Sequence, residues 1–250
     1  MREPIANGRP SLVRLAGAAL IALGLAAGGW FVGAGFVESR LGPRVVTVKG
    51  LAERDVKADL AIWPLRFVAT GNELGAVRAK IVADEAAVRA FVNDAGLQSA
   101  SVEVTGFEVT DALAQVYRSG PVESRFVVAE TLVVRTADID GIASLAQRVG
   151  ELIAAGVVLS SEGASASGPV YLFTGLNAAK PEMVAAATRN ARESAWQFAQ
   201  DSGSRLGGIR SASQGVFQIL ARDEAPGLLE PYQIAKRLRV VSTVEYFLAD

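Results

Sequence analysis

Residues 60–95 read LAIWPLRFVATGNELGAVRAKIVADEAAVRAFVNDA, and the hydrophobic period changes within them. Leu60 to Val68 places Trp63, Leu65 and Phe67 on one face of a strand and Ile62 and Val68 on the other, so burial on both faces is expected. Pro64 cannot donate to a ladder, which predicts an edge strand or a bulge at that point. From Asn72 the period becomes helical. Leu74, Val77, Ile81, Val88 and Val92 fall on one stripe, Asn72 is placed to cap it, and Gly96 supplies a stop after Ala95.

The same grammar extends in both directions. Val45, Val46 and Val48 open an earlier strand. Val102, Val104, Phe107 and Val109 form a later one whose alternation slips at Gly106, the mark of a bulge. Tyr117–Pro121 reads as a turn before a strand with Phe126, Val128, Leu132 and Val134. Asp138 is placed to cap a second helix with Ile142, Leu145, Val149 and Leu152 inside and Gly156 as its end. Val157–Leu159 and Val170–Phe173 read as short strands around a loop, Ser160–Gly168. A third helix is expected from Pro181 to Leu206. Strands near Ile209–Leu220 and Leu238–Leu248 finish the chain around an exposed loop, Ala221–Gln233. Strand pairs separated by single helices, three times over, predict an α+β fold with antiparallel sheet.

Upstream of all this lies Leu15–Val37, LAGAALIALGLAAGGWFVGAGFV, without a charge. A helix of that length crosses a hydrocarbon core of about 30 Å. Arg2, Arg9 and Arg14 precede it against Glu3 alone, so the N-terminal segment 1–14 is expected to stay cytoplasmic and the domain to be exported. Residues 38–43 then serve as a linker to a domain over 44–250. The rival is a cleaved signal peptide, for which Gly33-Ala34-Gly35 is a weak processing site. Gly24 with Gly28, and Gly29 with Gly33, have the spacing that lets two helices approach closely in lipid.

Composition narrows the chemistry. The 250 residues carry 26 acidic and 25 basic side chains with no basic tract, which disfavours nucleic acid. Histidine and cysteine are both absent. That argues against triad hydrolases, zinc enzymes and redox dithiols, and leaves no catalytic, cofactor-binding or metal-ligating residue to name. Asp55 and Asp59 are four apart, but such pairs decorate many solvated surfaces. Gly203-Ser204-Arg205-Leu206-Gly207-Gly208 lacks the Lys-Ser/Thr of a phosphate loop and reads as a helix stop. Ala187, Ala191, Ala195 and Ala199 give the third helix a small-residue face suited to packing within the subunit.

Three stretches carry a resemblance. Val45-Val46-Thr47-Val48-Lys49-Gly50 opens the domain. Ala187-Thr188-Arg189-Asn190-Ala191-Arg192, with Ala195, Ala199, Gly203, Leu206 and Gly207, follows in the third helix and its exit. Val240-Val241-Ser242-Thr243-Val244-Glu245-Tyr246 closes it. Together they resemble the SIMPL domain family from about Arg44 to the C-terminus. The resemblance implies an exported bacterial α+β protein of the periplasm or envelope, often oligomeric, linked to oxidative stress and without defined biochemical activity. It brings no catalytic residue. Many members look soluble after signal cleavage, whereas the apolar segment here is longer. The leading expectation is therefore a non-enzymatic protein of the bacterial inner membrane whose periplasmic domain self-assembles into a homo-oligomer or binds a protein partner. A small-molecule or peptide binding module, using the loops at 160–168 and 221–233, is the alternative, and a carboxylate-dependent enzyme is the third.

Overall fold

A computed structural model describes residues 12–40, 42–97, 99–114, 122–161 and 168–250. The basic flank at Arg2 and Arg9, the turn at Tyr117–Pro121, and residues 162–167 of the first candidate loop lie outside the described residues. Helix α1 spans Leu12–Arg40 and so continues three residues into the expected linker. Its Leu15–Gly35 stretch has a mean hydropathy of 1.9 and none of it is buried, so by length and composition it can cross a membrane.

The rest of the chain is a mixed α/β protein built on antiparallel sheets. Its strands are β1 (Val45–Lys57), β2 (Leu60–Gly71), β3 (Ser101–Asp111), β4 (Phe126–Thr136), β5 (Val170–Leu172), β6 (Arg205–Gln214), β7 (Gln218–Ala221) and β8 (Ala235–Ala249). Its helices are α2 (Leu74–Asp94), α3 (Ile139–Gln147), α4 (Gly150–Ala154) and α5 (Leu176–Asp201). One sheet has the order β3-β4-β2-β5. The other has the order β1-β8-β6, with β7 also on β8.

The chain divides into two compact units. One gathers the residues up to Thr47 with Ala195–Arg210 and Glu245–Asp250; the other comprises Val48–Ser194 and Ser211–Val244. In the larger unit a core forms where α2, α3 and α4 cover the inner face of the first sheet. Phe67, Leu132, Val134, Ile81, Val88, Ile142 and Leu152 are among its fully buried apolar members. Burial of each such side chain contributes about 1.5–3 kcal/mol. A second cluster joins Ala52, Leu238 and Val240 to Ala179, Met183 and Ala187 of α5.

Several sequence expectations hold in detail. Asp138 caps α3, accepting from Gly141 N at 2.9 Å. The ladder of β3 on β4 shifts between Val104 and Gly106, leaving Thr105 as the extra residue of a bulge. Gly96, Gly156 and Gly203 end α2, α4 and α5 with positive φ.

Others are corrected. Asn72 does not cap α2. The N-cap is Glu73, without a side-chain bond, and Asn72 Oδ1 accepts from Arg125 N at 3.0 Å. The second helix is two, α3 and α4, meeting at Arg148–Val149. Val157–Leu159 is no strand; Leu159 makes an isolated bridge to Phe67. The strand expected over Ile209–Leu220 is broken into β6 and β7 around Gly215, whose N–H bonds Val241 O at 2.8 Å.

β2 shows no bulge at Pro64, which pairs in register with Val133. It is also not an outer strand, since β5 lies on its other side over Leu60–Ile62. Val68 N bonds Val158 O at 2.9 Å and Ser160 N bonds Arg66 O at 2.8 Å. Alternation puts Pro64 on that same side, past the end of β5, where no ladder partner is needed.

Helix α5 begins at Leu176, so Pro181 lies in its second turn and not its first, and the helix ends at Asp201 and not Leu206. The early start is fixed from far away in sequence. Asp59 accepts from Thr174 N at 2.7 Å and Gly175 N at 3.0 Å, orienting the residues that lead into the helix.

Candidate functional site

Of the places singled out by sequence reasoning, the loop Ala221–Gln233 and the pair Asp55 and Asp59 make bonds within the fold. The described part of Ala221–Gln233 closes on itself. Gln233 Nε2 donates to Asp223 O at 2.8 Å and Leu228 O at 3.3 Å, and Gln233 Oε1 accepts from Asp223 N at 3.2 Å. Lys236, fully buried on β8, donates to Glu230 O at 2.8 Å and Glu230 Oε1 at 2.5 Å. Gln233 and Lys236 thus hold the loop's main chain from within. Asp55 meets Arg237 Nε at 2.9 Å, whose hydrogen bond holds the carboxyl below its usual range. Asp59 is occupied by the backbone before α5, so the two aspartates do not converge on a common point. Among the described residues no group of three acidic side chains could hold a metal ion.

An open groove of about 330 Å³ lies between β1 and α5, lined by Ala52, Glu53, Arg54, Glu182, Met183 and Ala186. Arg54 Nη1 reaches Glu182 Oε2 across it at 2.7 Å. Arg54 and Glu182 are thus paired with each other, and Glu53 is paired with Arg239 at 3.6 Å.

The outer edge of the first sheet is incompletely paired among the described residues. β3 is the end strand of the order β3-β4-β2-β5, and its residues pair on one side only among the described residues. The register places Val102, Val104, Phe107 and Val109 opposite Val134, Leu132, Glu130 and Val128. The β4 members of these pairs are buried, while Val104, Phe107 and Val109 are 46%, 58% and 50% exposed. Helix α2 packs over β2 and β4, and the apolar face continues beyond it onto β3.

The side of α2 that borders this strip carries Val82, Glu85 and Arg89, which share a stripe at spacings of three and four. Arg89 Nε bonds Glu85 Oε1 at 2.8 Å and Arg89 Nη1 bonds Val102 O at 3.1 Å. Beneath them sits Glu130, 3% exposed. Burial raises its pKa, the Glu85 carboxylate adds to the rise, and Arg89 opposes it. The result is a shelf: a strand edge paired on one side only among the described residues, an apolar face over it, and a carboxyl of raised pKa on the floor. Such a shelf can accept another strand by main-chain pairing while covering Phe107 and Val109.

Sequence reasoning missed Glu130 and Lys236. The signal for Glu130 was its phase, since it falls between Val128 and Leu132 in the inward register of β4. Lys236 holds the same phase as Leu238 and Val240.

Glu130→Gln tests the carboxyl. An acid whose folded pKa is raised contributes most below its unfolded value near 4.5, and that contribution is lost as pH rises through the folded value. Glu130→Gln should therefore raise the urea midpoint at pH 7.5 and leave little difference at pH 4, measured by tryptophan emission.

The fold and the shelf define an antiparallel α+β domain behind a single apolar helix. The family model SIMPL, described as a protein of unknown function (DUF541), matches residues 46–243, and the chain belongs to that family. No curated protein matches the chain.

Proposed function

We propose that this protein is a membrane-anchored assembly module of the bacterial envelope and not an enzyme. In this reading α1 spans the inner membrane, the arginine-flanked N-terminus stays in the cytoplasm, and the SIMPL domain stands in the periplasm, where further copies join through the β3 shelf. One observation supports it above others: an eleven-residue outer strand with Phe107 and Val109 more than or about half exposed on the face that is core elsewhere in the sheet. Unprotected apolar strand edges recruit other strands. A second copy is the favoured occupant because anchoring confines all copies to one plane with one orientation, which raises their effective concentration. The paired glycine spacings of α1 would bring the anchors together as well.

Replacing Phe107 and Val109 together by lysine tests this. Both side chains are exposed, so folding stability should change by no more than about 0.5 kcal/mol per site. Native mass spectrometry of full-length protein in detergent should show multimers of the parent chain and monomers of the Phe107→Lys, Val109→Lys variant. Multimers that survive the substitutions would place the interface elsewhere. A monomeric parent chain, with no crosslinked copies in membranes, would remove the assembly reading. N-terminal sequencing that starts at Phe36 would turn α1 into a cleaved signal and leave a soluble domain.

A further inference from the structure

The outer side of β3 can be followed residue by residue. Ala112 N bonds Arg125 O at 2.7 Å, and these two lie opposite each other one step past the paired Asp111 and Phe126. Bonded and non-bonded pairs alternate along an antiparallel ladder, so the main-chain groups of Phe107, Val109 and Asp111 are directed away from β4. The next ladder has the same phase. Phe126, Val128 and Glu130 of β4 face Gly71, Ala69 and Phe67 of β2. That leaves Val68 N and Arg66 O turned away from β4, where they bond Val158 O and Ser160 N.

The edge is divided in two. In its first half Val102 O already accepts from Arg89 Nη1 at 3.1 Å, and the bulge at Thr105 bends the strand after it. The straight stretch that remains is residues 107–111. Its last carbonyl is shared with the following turn, since Asp111 O accepts from Ala114 N at 3.0 Å. The opposite edge of the same sheet is β5, which at three residues is too short to pair with all of this stretch. A second copy of β3 matches it in length, and brings a second Phe107 and Val109 to the same apolar face.

Two identical strands meeting across a two-fold axis have few registers open to them. Centred on Val109, the whole stretch 107–111 overlaps. Val109 then faces its own counterpart, and Phe107 faces Asp111 of the second copy. Glu108 faces Thr110, whose hydroxyl can donate to the carboxylate. The Asp111 charge is matched within its own copy by Arg125 Nη2 at 3.0 Å. Centred on Glu108, the overlap within the straight stretch shrinks to 107–109, and two carboxylates stand directly opposite each other, which is destabilising. Centred on Thr110, it shrinks to 109–111 and leaves Phe107 outside.

We propose that two copies of this chain join through antiparallel β3 strands about a two-fold axis at Val109, with residues 107–111 as the paired stretch. The two sheets become one, β5-β2-β4-β3 continuing into β3-β4-β2-β5. Arg89 and the bulge at Thr105 set where the pairing stops. This rests on the β3 edge being the assembly site, and the experiment separates the register from that reading.

The sequence contains no cysteine, so a single introduced thiol can form a disulfide only with its own counterpart. Glu108→Cys, Val109→Cys and Thr110→Cys are made one at a time in the full-length chain. Each is oxidised with copper phenanthroline in native membranes and read on non-reducing gels. In the proposed register the two residues at 109 lie about 5.5 Å apart between Cα atoms, within disulfide reach. The two at 108, or at 110, are offset by two positions and lie more than about 8 Å apart, out of reach. Val109→Cys should therefore give at least about fivefold more dimer than either neighbour. Stronger crosslinking through Glu108→Cys or Thr110→Cys would show a slipped register and overturn the proposal. No crosslink at any of the three, with multimers of the parent chain still seen by native mass spectrometry, would put another surface in the contact. That result sinks the β3 pairing and leaves assembly standing. No crosslink together with a monomeric parent chain removes both.

Discussion

Gly50→Ala should destabilise the protein by about 3 kcal/mol or more, one of the two largest effects of a single substitution anticipated for this chain. A Cβ built on Gly50 overlaps the Ala187 carbonyl oxygen and comes within 2.6 Å of Ala191 N and 2.8 Å of Ala191 Cβ. Two of these obstacles are main chain, which no side-chain rotation can move. Relief requires β1 and α5 to separate, yet Ala187 and Ala191 are both fully buried. Separation would also stretch the bond from Asn190 Nδ2 to Leu51 O, now 2.7 Å. Gly75→Ala is the matched control. Gly75 lies in α2 with open space around its missing Cβ, and alanine favours helix over glycine by about 1 kcal/mol. The two substitutions should move the urea midpoint of detergent-solubilised full-length protein in opposite directions. Equal, small shifts would mean that β1 and α5 do not pack backbone to backbone.

That contact also explains why the fold was readable from scaffold residues. The stretch ending in Lys49-Gly50 and the stretch Asn190-Ala191 lie far apart in sequence, and both consist of residues needed for one close approach: no Cβ at Gly50, a methyl at Ala187 and Ala191, and an amide that bonds across at Asn190. Local signals were also legible where the physics is local. Asp138 caps its own helix, Gly96 and Gly156 take left-handed turns, and the bulge at Thr105 appears as a slip in alternation.

Expectations failed where distant partners decide. Asn72 is drawn to Arg125 N, and Asp59 fixes the start of α5 more than a hundred residues away, so neither helix start follows from its own flank. Pro64 is tolerated within an inner strand because β5 is only three residues long and ends before it, a fact of topology and not of β2. The shelf was half visible. Val104, Phe107 and Val109 were read as members of one strand with a slip at Gly106, but only the register on β4 and the position of α2 show that nothing among the described residues covers them. Glu130 and Lys236 were in view as charges in apolar phase and were passed over, although that mismatch between period and polarity is the sequence signal for a buried ionisable group.

Glu230→Ala is the second large effect, at about 3–5 kcal/mol. Lys236 is an ammonium with no solvent exposure, and Glu230 supplies its charge partner through Oε1 at 2.5 Å and a second acceptor through its own carbonyl at 2.8 Å. Alanine at 230 keeps the carbonyl and removes the carboxylate, leaving a buried charge with one neutral acceptor. Lys236→Met behaves differently. It keeps most of the side-chain volume between neighbours such as Leu238 and removes the charge that needs a partner. Replacing a buried ion by an apolar chain of similar size is often neutral or stabilising, so this variant should lie within about 1 kcal/mol of the parent. The double variant should recover most of what Glu230→Ala alone loses, because no buried charge remains. The four urea midpoints form a double-mutant cycle whose coupling should exceed about 2 kcal/mol. A Glu230→Ala variant that costs under about 1 kcal/mol would show that the loop from Arg222 to Gln233 lifts to let water reach Lys236. In that case limited proteolysis should cut the loop of the variant faster than that of the parent, and Lys236→Met in the same background should not slow the cleavage.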